Sequence, residues 1–133
     1  NGVINLDFRE KVPEKYKNKA DLLTNFGFTE HVDNQYMAWK NIHNILKIGS
    51  ICISELPGMF KFPGHEDLPY YTEEFFIALC QKNNYEILEL RYQNHEIPIK
   101  GQVCWCVFKK IQDSEFCSKN QFELIESKLG KNV

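Results

Sequence analysis

The chain has 133 residues, 43% of them hydrophobic and 14% aromatic, which is enough for the core of one domain. Its formal net charge of -2, with 26% charged residues, argues against the basic surface of a nucleic-acid-binding protein and against an anionic membrane as a partner. No apolar run approaches the roughly 20 residues of a membrane span, and no signal peptide opens the chain.

Two strands and a helix are predicted in the first part of the chain. Residues 3–8 form a short apolar run that predicts a strand, and residues 10–20 form a charged connector with space for one helical turn. Residues 21–26 predict the second strand. Apolar residues then recur at helical spacing through residues 35–46, after a possible cap at Asp33 or Asn34.

The middle of the chain continues the alternation of strand and helix. Gly49 suits the left-handed position that ends the first helix. Residues 50–56 predict a strand, and residues 59–71 form a long loop with two prolines. Thr72 can cap the next helix, because its hydroxyl can accept from the free N–H groups of the first turn.

The last part of the chain predicts a hairpin and a helix. Residues 85–92 and 102–109 read as strands, and the link between them is too short for a parallel crossover, so the pair is antiparallel. Ser118 and Gln121 form a capping box for a final helix. The chain is therefore predicted to be α/β, with a mostly parallel sheet and an antiparallel C-terminal strand pair.

Three segments resemble a known family. Residues 21–32 (DLLTNFGFTEHV) are similar to a D-L-V-T-N-F-G-T-x-E-H-V motif that spans the fourth strand and following loop of class I S-adenosylmethionine (SAM)-dependent methyltransferases. Residues 35–50 resemble the next helix of that family and its turn into strand five. Residues 64–76 resemble its H-G-x-x-N-Y-x-P-x-F-F stretch.

The resemblance implies that residues 1–133 are a single Rossmann-like domain, the C-terminal half of a methyltransferase domain and a fragment of a longer one. In that family, SAM binds mainly through a Gly-rich turn after the first strand, and no two of the seven glycines here form G-x-G. The chain would thus begin around strand three. We expect a missing N-terminal segment, a partner chain or self-association to cover the open edge of residues 21–26.

Four residues are candidate contacts of the cofactor SAM. By resemblance, Asp7 matches an acidic position near the adenine amino group. Asn25, Phe26 and Gly27 fall at the carboxyl end of a strand, where ligands bind in open α/β sheets. A strand-end carboxylate and an ordinary turn are the alternative interpretations of these positions.

Five residues are candidates for the acceptor side of the site. Glu30 and His31 are adjacent, and an imidazole beside a carboxylate can act as a general base. His65, Tyr70 and Tyr71 lie in the long loop, and long loops in compact domains are often functional. We predict catalytic roles for Glu30, His31 and His65 and acceptor binding for Tyr70 and Tyr71. The alternative is loop packing and capping.

The expected activity is methyl transfer from SAM to a small-molecule or glycan-type acceptor. The alternative is a non-catalytic binding or scaffolding module, which the missing Gly-rich turn favours. No Cys/His spacing suits zinc, so no metal site is predicted. His43 is expected to be structural.

An odd number of scattered cysteines does not suit a disulfide framework, and buried thiols of a cytoplasmic protein are the favoured interpretation. Cys104 and Cys106 share one face of a predicted strand, so a redox pair or metal site is the alternative there.

Overall fold

The computed structural model describes residues 2–131, which form a sheet with helices packed on one face. The strands are β1 (Ala20–Phe26), β2 (Leu46–Pro57), β3 (Tyr85–His95) and β4 (Gly101–Lys110), and the helices are α1 (Gln35–Ile45), α2 (Glu73–Lys82) and α3 (Lys119–Glu126). Short 3-10 turns cover Glu14–Tyr16 and Thr29–His31. Across this part of the chain, none of the helices combines the length and the apolar character that crossing a bilayer requires.

The four-stranded sheet has the order β1-β2-β4-β3. Strands β1 and β2 are parallel, whereas β4 is antiparallel to both of its neighbours. The α/β class and the antiparallel hairpin are thus confirmed, but the expectation of a mostly parallel sheet is wrong. The reason is that β4 inserts between β2 and β3, so it contributes two antiparallel pairings.

The predicted first strand is also wrong, because residues 3–8 form no strand. A strand needs a neighbour for its backbone N–H and C=O groups, and among residues 2–131 no strand pairs with this segment. The following residues are instead tied to α1 by Asn41. Its Nδ2 donates to the carbonyls of Phe8 and Glu10, and its Oδ1 accepts from Val12 N at 3.0 Å.

The predicted helix starts are confirmed. Asn34 Oδ1 accepts from Met37 N at 3.0 Å, Thr72 Oγ1 accepts from Phe75 N at 3.1 Å, and Ser118 with Gln121 forms the capping box. Gly49 does have a positive φ of 86°, but it does not end α1. It lies inside β2, where the register with β1 shifts, so its conformational freedom serves a bulge.

The core lies on the helical side of the sheet. It includes the aromatic side chains of the helices and the inward-facing residues of β2 and β4, with Trp39, Phe75, Phe76, Cys52, Cys104, Cys106 and Phe108 among its members. All five cysteines are buried and free. The opposite face of the sheet carries exposed apolar side chains: Leu22 is 53% exposed, and Phe26, 54% exposed, stacks on Trp105.

Candidate functional site

The turn after β1 is held by the side chain of Asn25. This residue is 1% exposed, and its Oδ1 accepts from Thr29 N at 3.2 Å. Its Nδ2 donates to Thr29 Oγ1 at 3.0 Å and to Ser54 Oγ at 3.4 Å. Both amide protons therefore have partners inside the protein, and the hydrogen bonds of Asn25 hold the turn in place.

Gly27 completes this turn in the left-handed region, with φ 59°. Its N–H donates to the Glu55 carbonyl at 3.0 Å, which joins the turn to β2. A Cβ added at Gly27 would lie 3.5 Å from Glu30 Oε1, so the glycine backbone lies close beside this carboxylate. Phe26 points the other way, toward the exposed face of the sheet.

A buried polar network extends from the turn to α1 and the loop before α2. The Tyr71 hydroxyl lies 2.8 Å from Gln35 Oε1 and 3.0 Å from Thr29 Oγ1. Gln35 Nε2 donates to the carbonyls of Thr29 at 2.6 Å and Val32 at 2.9 Å. Burial raises the pKa of Tyr71, so the phenol is neutral. The Tyr71 hydroxyl thus connects the turn after β1 to helix α1.

Sequence reasoning missed Thr29, Gln35 and Ser54, the partners of Asn25 and Tyr71. Of these three residues, only Thr29 had a weak signal in the sequence. Thr29 follows Asn25 by four residues across a glycine turn, a spacing typical of side-chain hydrogen bonds that close a loop.

The structure brings together the three residues predicted to be catalytic. Ligand atoms of Glu30, His31 and His65 all lie within 4.8 Å of one another. Glu30 Oε1 is 3.9 Å from His31 Nε2, and the rings of His31 and His65 are 5.6 Å apart between centroids. The 3-10 turn Thr29–His31 turns Glu30 inward and His31 outward, and the long loop supplies His65.

The Glu30 carboxylate is the unusual member of this cluster. Its side chain is 0% exposed, and neither oxygen has a hydrogen-bond partner among the described residues. Burial raises the pKa of Glu30, against the opposing effects of its own backbone N–H and of His31 and His65. The Nδ1 atom of His65 is also buried and unpaired. The cluster can thus hold a proton, or a cation, between these groups.

Two clefts open beside the cluster. One, of about 540 Å³, is lined by residues 5–9, with Phe28, Val32 and Asp33, and it includes His31. Asp7 lines the same cleft and pairs with Arg9 at 2.7 Å, and the hydrogen bonds from Arg9 lower the pKa of Asp7 to about 2. The second cleft, of about 460 Å³, is lined by Glu30.

Tyr70 lies apart from these contacts. Its backbone forms an isolated antiparallel bridge with Gly130, with N–O distances of 3.0 and 2.9 Å. Its ring lies so close over Gly130 that a Cβ there would overlap the phenol. Tyr70 thus joins the long loop to the segment after α3.

His43 is structural, as expected. It is 2% exposed, with Nε2 2.6 Å from the Ser114 carbonyl and Nδ1 2.6 Å from the Tyr85 hydroxyl. A carbonyl can only accept, so Nε2 carries the proton and Nδ1 accepts from Tyr85. Burial, assisted by the nearby Lys110 ammonium, lowers the pKa of His43 to about 4.

No protein-family model matches the chain, and no curated protein matches it. It is similar to a solved structure described as "Conversion of a Disulfide Bond into a Thioacetal Group during Echinomycin Biosynthesis". The TM-score is 0.51 at 8% sequence identity, over 92% of this chain and 59% of the other. The chain thus spans less than two thirds of that neighbour's length, and at this identity the likeness concerns the fold alone.

Proposed function

We propose that this chain is the C-terminal part of a SAM-dependent methyltransferase that methylates a small-molecule or glycan-type acceptor. The observation that carries the proposal is the cluster of Glu30, His31 and His65 beside the Asn25-Phe26-Gly27 turn. This turn ends a strand of the parallel pair, and ligands of open α/β sheets bind at the carboxyl ends of such strands.

The strand arrangement supports a partial Rossmann-like methyltransferase sheet. The resemblance implies a parallel sheet finished by an antiparallel last strand, and β4 is antiparallel to its two neighbours. Helix α1 connects the parallel strands β1 and β2, as the resemblance to strands four and five implies.

The proposed roles of the site residues follow from their positions relative to the two clefts. The turn at Asn25, Phe26 and Gly27 would form the floor of the SAM site, with Asp7 facing the adenine from the 540 Å³ cleft. His31 lines that cleft as well, with its side chain 53% exposed, so it would lie toward the acceptor, with the buried Glu30 carboxylate behind it. Methyl transfer is an in-line displacement, so holding donor and acceptor in line would supply most of the rate.

The general base matters where the acceptor must lose a proton. His31 is 53% exposed in its side chain and can reach a hydroxyl or amine in the cleft, whereas Glu30 is fixed beneath it. His65 approaches from the long loop. Tyr70 and Tyr71 would shape the acceptor side through the loop, since the Tyr71 hydroxyl is already bonded inside the protein.

The exposed surfaces of the sheet support a further half of the domain. In the part of the chain that the structure describes, the outer edge of β1 has no neighbouring strand, and the face carrying Leu22, Phe26 and Trp105 has no helix against it. An open apolar edge and face favour association. The covering element would be a preceding segment of the polypeptide, a partner chain or a second copy.

Isothermal titration of SAM tests the proposal, first with the 133-residue chain and then with the native polypeptide that contains it. Micromolar binding to either is the expected result. In the native polypeptide, His31→Ala should lower turnover more than SAM affinity, with His95→Ala on β3 as the matched control. Absence of SAM binding in both proteins would contradict the proposal.

A non-catalytic binding module is the second candidate. The observation that favours it is that the polar groups of Asn25 and Tyr71 are already bonded within the protein, which leaves few free donors for a ligand. A module of this kind would bind a partner protein without binding SAM. A titration of the native polypeptide in which SAM gives no heat would favour it.

A further inference from the structure

The Glu30 carboxylate is buried without a hydrogen-bond partner among the described residues. A buried ionised carboxylate without hydrogen bonds is strongly destabilising, and both Glu30 oxygens are buried and unpaired. The groups that face them are imidazoles, with His31 Nε2 3.9 Å from Glu30 Oε1. One nitrogen from each imidazole and one carboxylate oxygen lie within 4.8 Å of one another.

This donor set has a clear chemical preference. Imidazole nitrogen with carboxylate oxygen suits divalent transition metals such as Zn²⁺, and a site with two histidines and one glutamate is a known catalytic arrangement for that ion. Mg²⁺ and Ca²⁺ prefer shells made entirely of oxygen ligands. Three protein ligands also leave at least one coordination position open for water or a substrate atom.

We propose that Glu30, His31 and His65 form a binding site for a divalent transition-metal ion of the Zn²⁺ type. Metal bonds of about 2.0–2.2 Å at tetrahedral angles place ligand atoms roughly 3.5 Å apart. The three ligand atoms lie within 4.8 Å of one another, so they need to close by about 1 Å.

The surrounding elements make that closure feasible. His31 is 53% exposed and lies at the end of a 3-10 turn, and His65 lies in a loop, so both rings can shift. Glu30 is held more firmly, because Thr29 is tied to Asn25 and Gln35. Hydrogen bonds around a metal ligand orient that ligand toward the metal.

The site goes beyond the proposed methyl transfer, because metal binding requires neither SAM nor an acceptor. A metal-bound His31 imidazole is not free to accept a proton, so metal binding would replace the general-base role proposed for His31. Co²⁺ is the probe, since its visible absorption reports coordination in place of Zn²⁺. Untagged, metal-free protein is titrated with Co²⁺ and then with Zn²⁺. The expected result is one Co²⁺ per chain, with a visible spectrum that Zn²⁺ abolishes.

Matched variants locate the site. Glu30→Gln and His31→Asn should each weaken Co²⁺ binding at least about tenfold, whereas His95→Asn should bind like the wild type. His31 is exposed, so the substitution His31→Asn leaves the core intact. The Co²⁺ affinity of His31→Asn therefore tests the site even where Glu30→Gln fails to fold. Circular dichroism verifies the fold of each variant.

Three results would overturn the inference. One is the lack of a visible Co²⁺ spectrum at about 100 μM metal, far above the dissociation constants of specific sites. Another is equal binding by His31→Asn and the wild type. The third is the strong ultraviolet band of cobalt–thiolate bonds, which would place the metal at cysteines such as Cys104 and Cys106.

Discussion

The buried imidazole of His43 should make the stability of the fold dependent on pH. Folding holds the pKa of His43 at about 4, against an ordinary value of 6.5. The unfolded chain therefore binds the proton more readily than the folded chain. The stability that the neutral imidazole contributes is fully present above pH 6.5 and is lost as the pH falls toward 4.

The expected size of this effect follows from the two pKa values. At pH 5 the unfolded imidazole is almost fully protonated and the folded one is almost fully neutral. Linkage then gives a loss of about 2 kcal/mol in the free energy of unfolding relative to pH 7.5. The structural cause is burial of the His43 imidazole, which penalises its charged form, assisted by the nearby Lys110 ammonium.

Urea unfolding at several pH values between 7.5 and 5 measures this loss. His43→Gln removes the titrating group, so it should lower stability at every pH, by about 1–3 kcal/mol for the broken hydrogen bonds, while flattening the pH dependence by about 2 kcal/mol. His95→Gln, at the far end of the hairpin, is the control and should keep the wild-type dependence. An unchanged pH dependence in His43→Gln would refute the reasoning.

Three further predictions concern the turn, the core and a helix cap. Gly27→Ala should lower the free energy of unfolding by about 1–2 kcal/mol, because the backbone φ of Gly27 is 59°, in the left-handed region. Gly27→Asn should lower it less, since asparagine tolerates the left-handed region, and urea unfolding of both variants measures the difference. Phe75→Ala should lose about 3–5 kcal/mol, because the ring is 0% exposed, whereas Ile77→Ala, at 40% exposure, should lose far less in the same assay. Asn34→Ala should lose about 1 kcal/mol and reduce helical ellipticity on heating, because Met37 N loses its acceptor; an unchanged melting curve would contradict the capping role.

Local signals in the sequence predicted the elements well. Helical periodicity and short capping side chains are determined within a few residues, and the caps at Asn34, Thr72 and Ser118 form as expected. Gly49 shows the limit of such signals. Its positive φ was predicted, but only the register between β1 and β2 decides that it serves a bulge instead of a helix end.

Long-range pairing was the part that the sequence left undetermined. Residues 3–8 have the composition of a strand, yet a strand exists only where a neighbour completes its hydrogen bonds. The insertion of β4 between β2 and β3 likewise follows from tertiary packing, not from local pattern. A mostly parallel sheet was therefore a reasonable prediction from element order, and the structure corrects it.

The candidate site was predictable in its residue types but not in its contacts. The sequence predicted a functional site that includes Asn25, Gly27, Glu30, His31 and His65. The structure brings Glu30, His31 and His65 together, and their function stays a prediction. The hydrogen bonds of Asn25 to Thr29, four residues away, carried a weak local signal, whereas its partner Ser54 lies 29 residues away and had none.

The position of β4 also determines when the protein can fold. Strands β2 and β3 are not hydrogen-bonded to each other, and β4 (Gly101–Lys110) pairs with both of them. During synthesis, at about 5–20 residues per second, the ribosome would complete β2 about 3–10 seconds before β4, the strand that pairs with both β2 and β3. A nascent chain that ends before residue 101 leaves unpaired the β2 edge that β4 covers, so we expect it to depend on chaperones until β4 emerges.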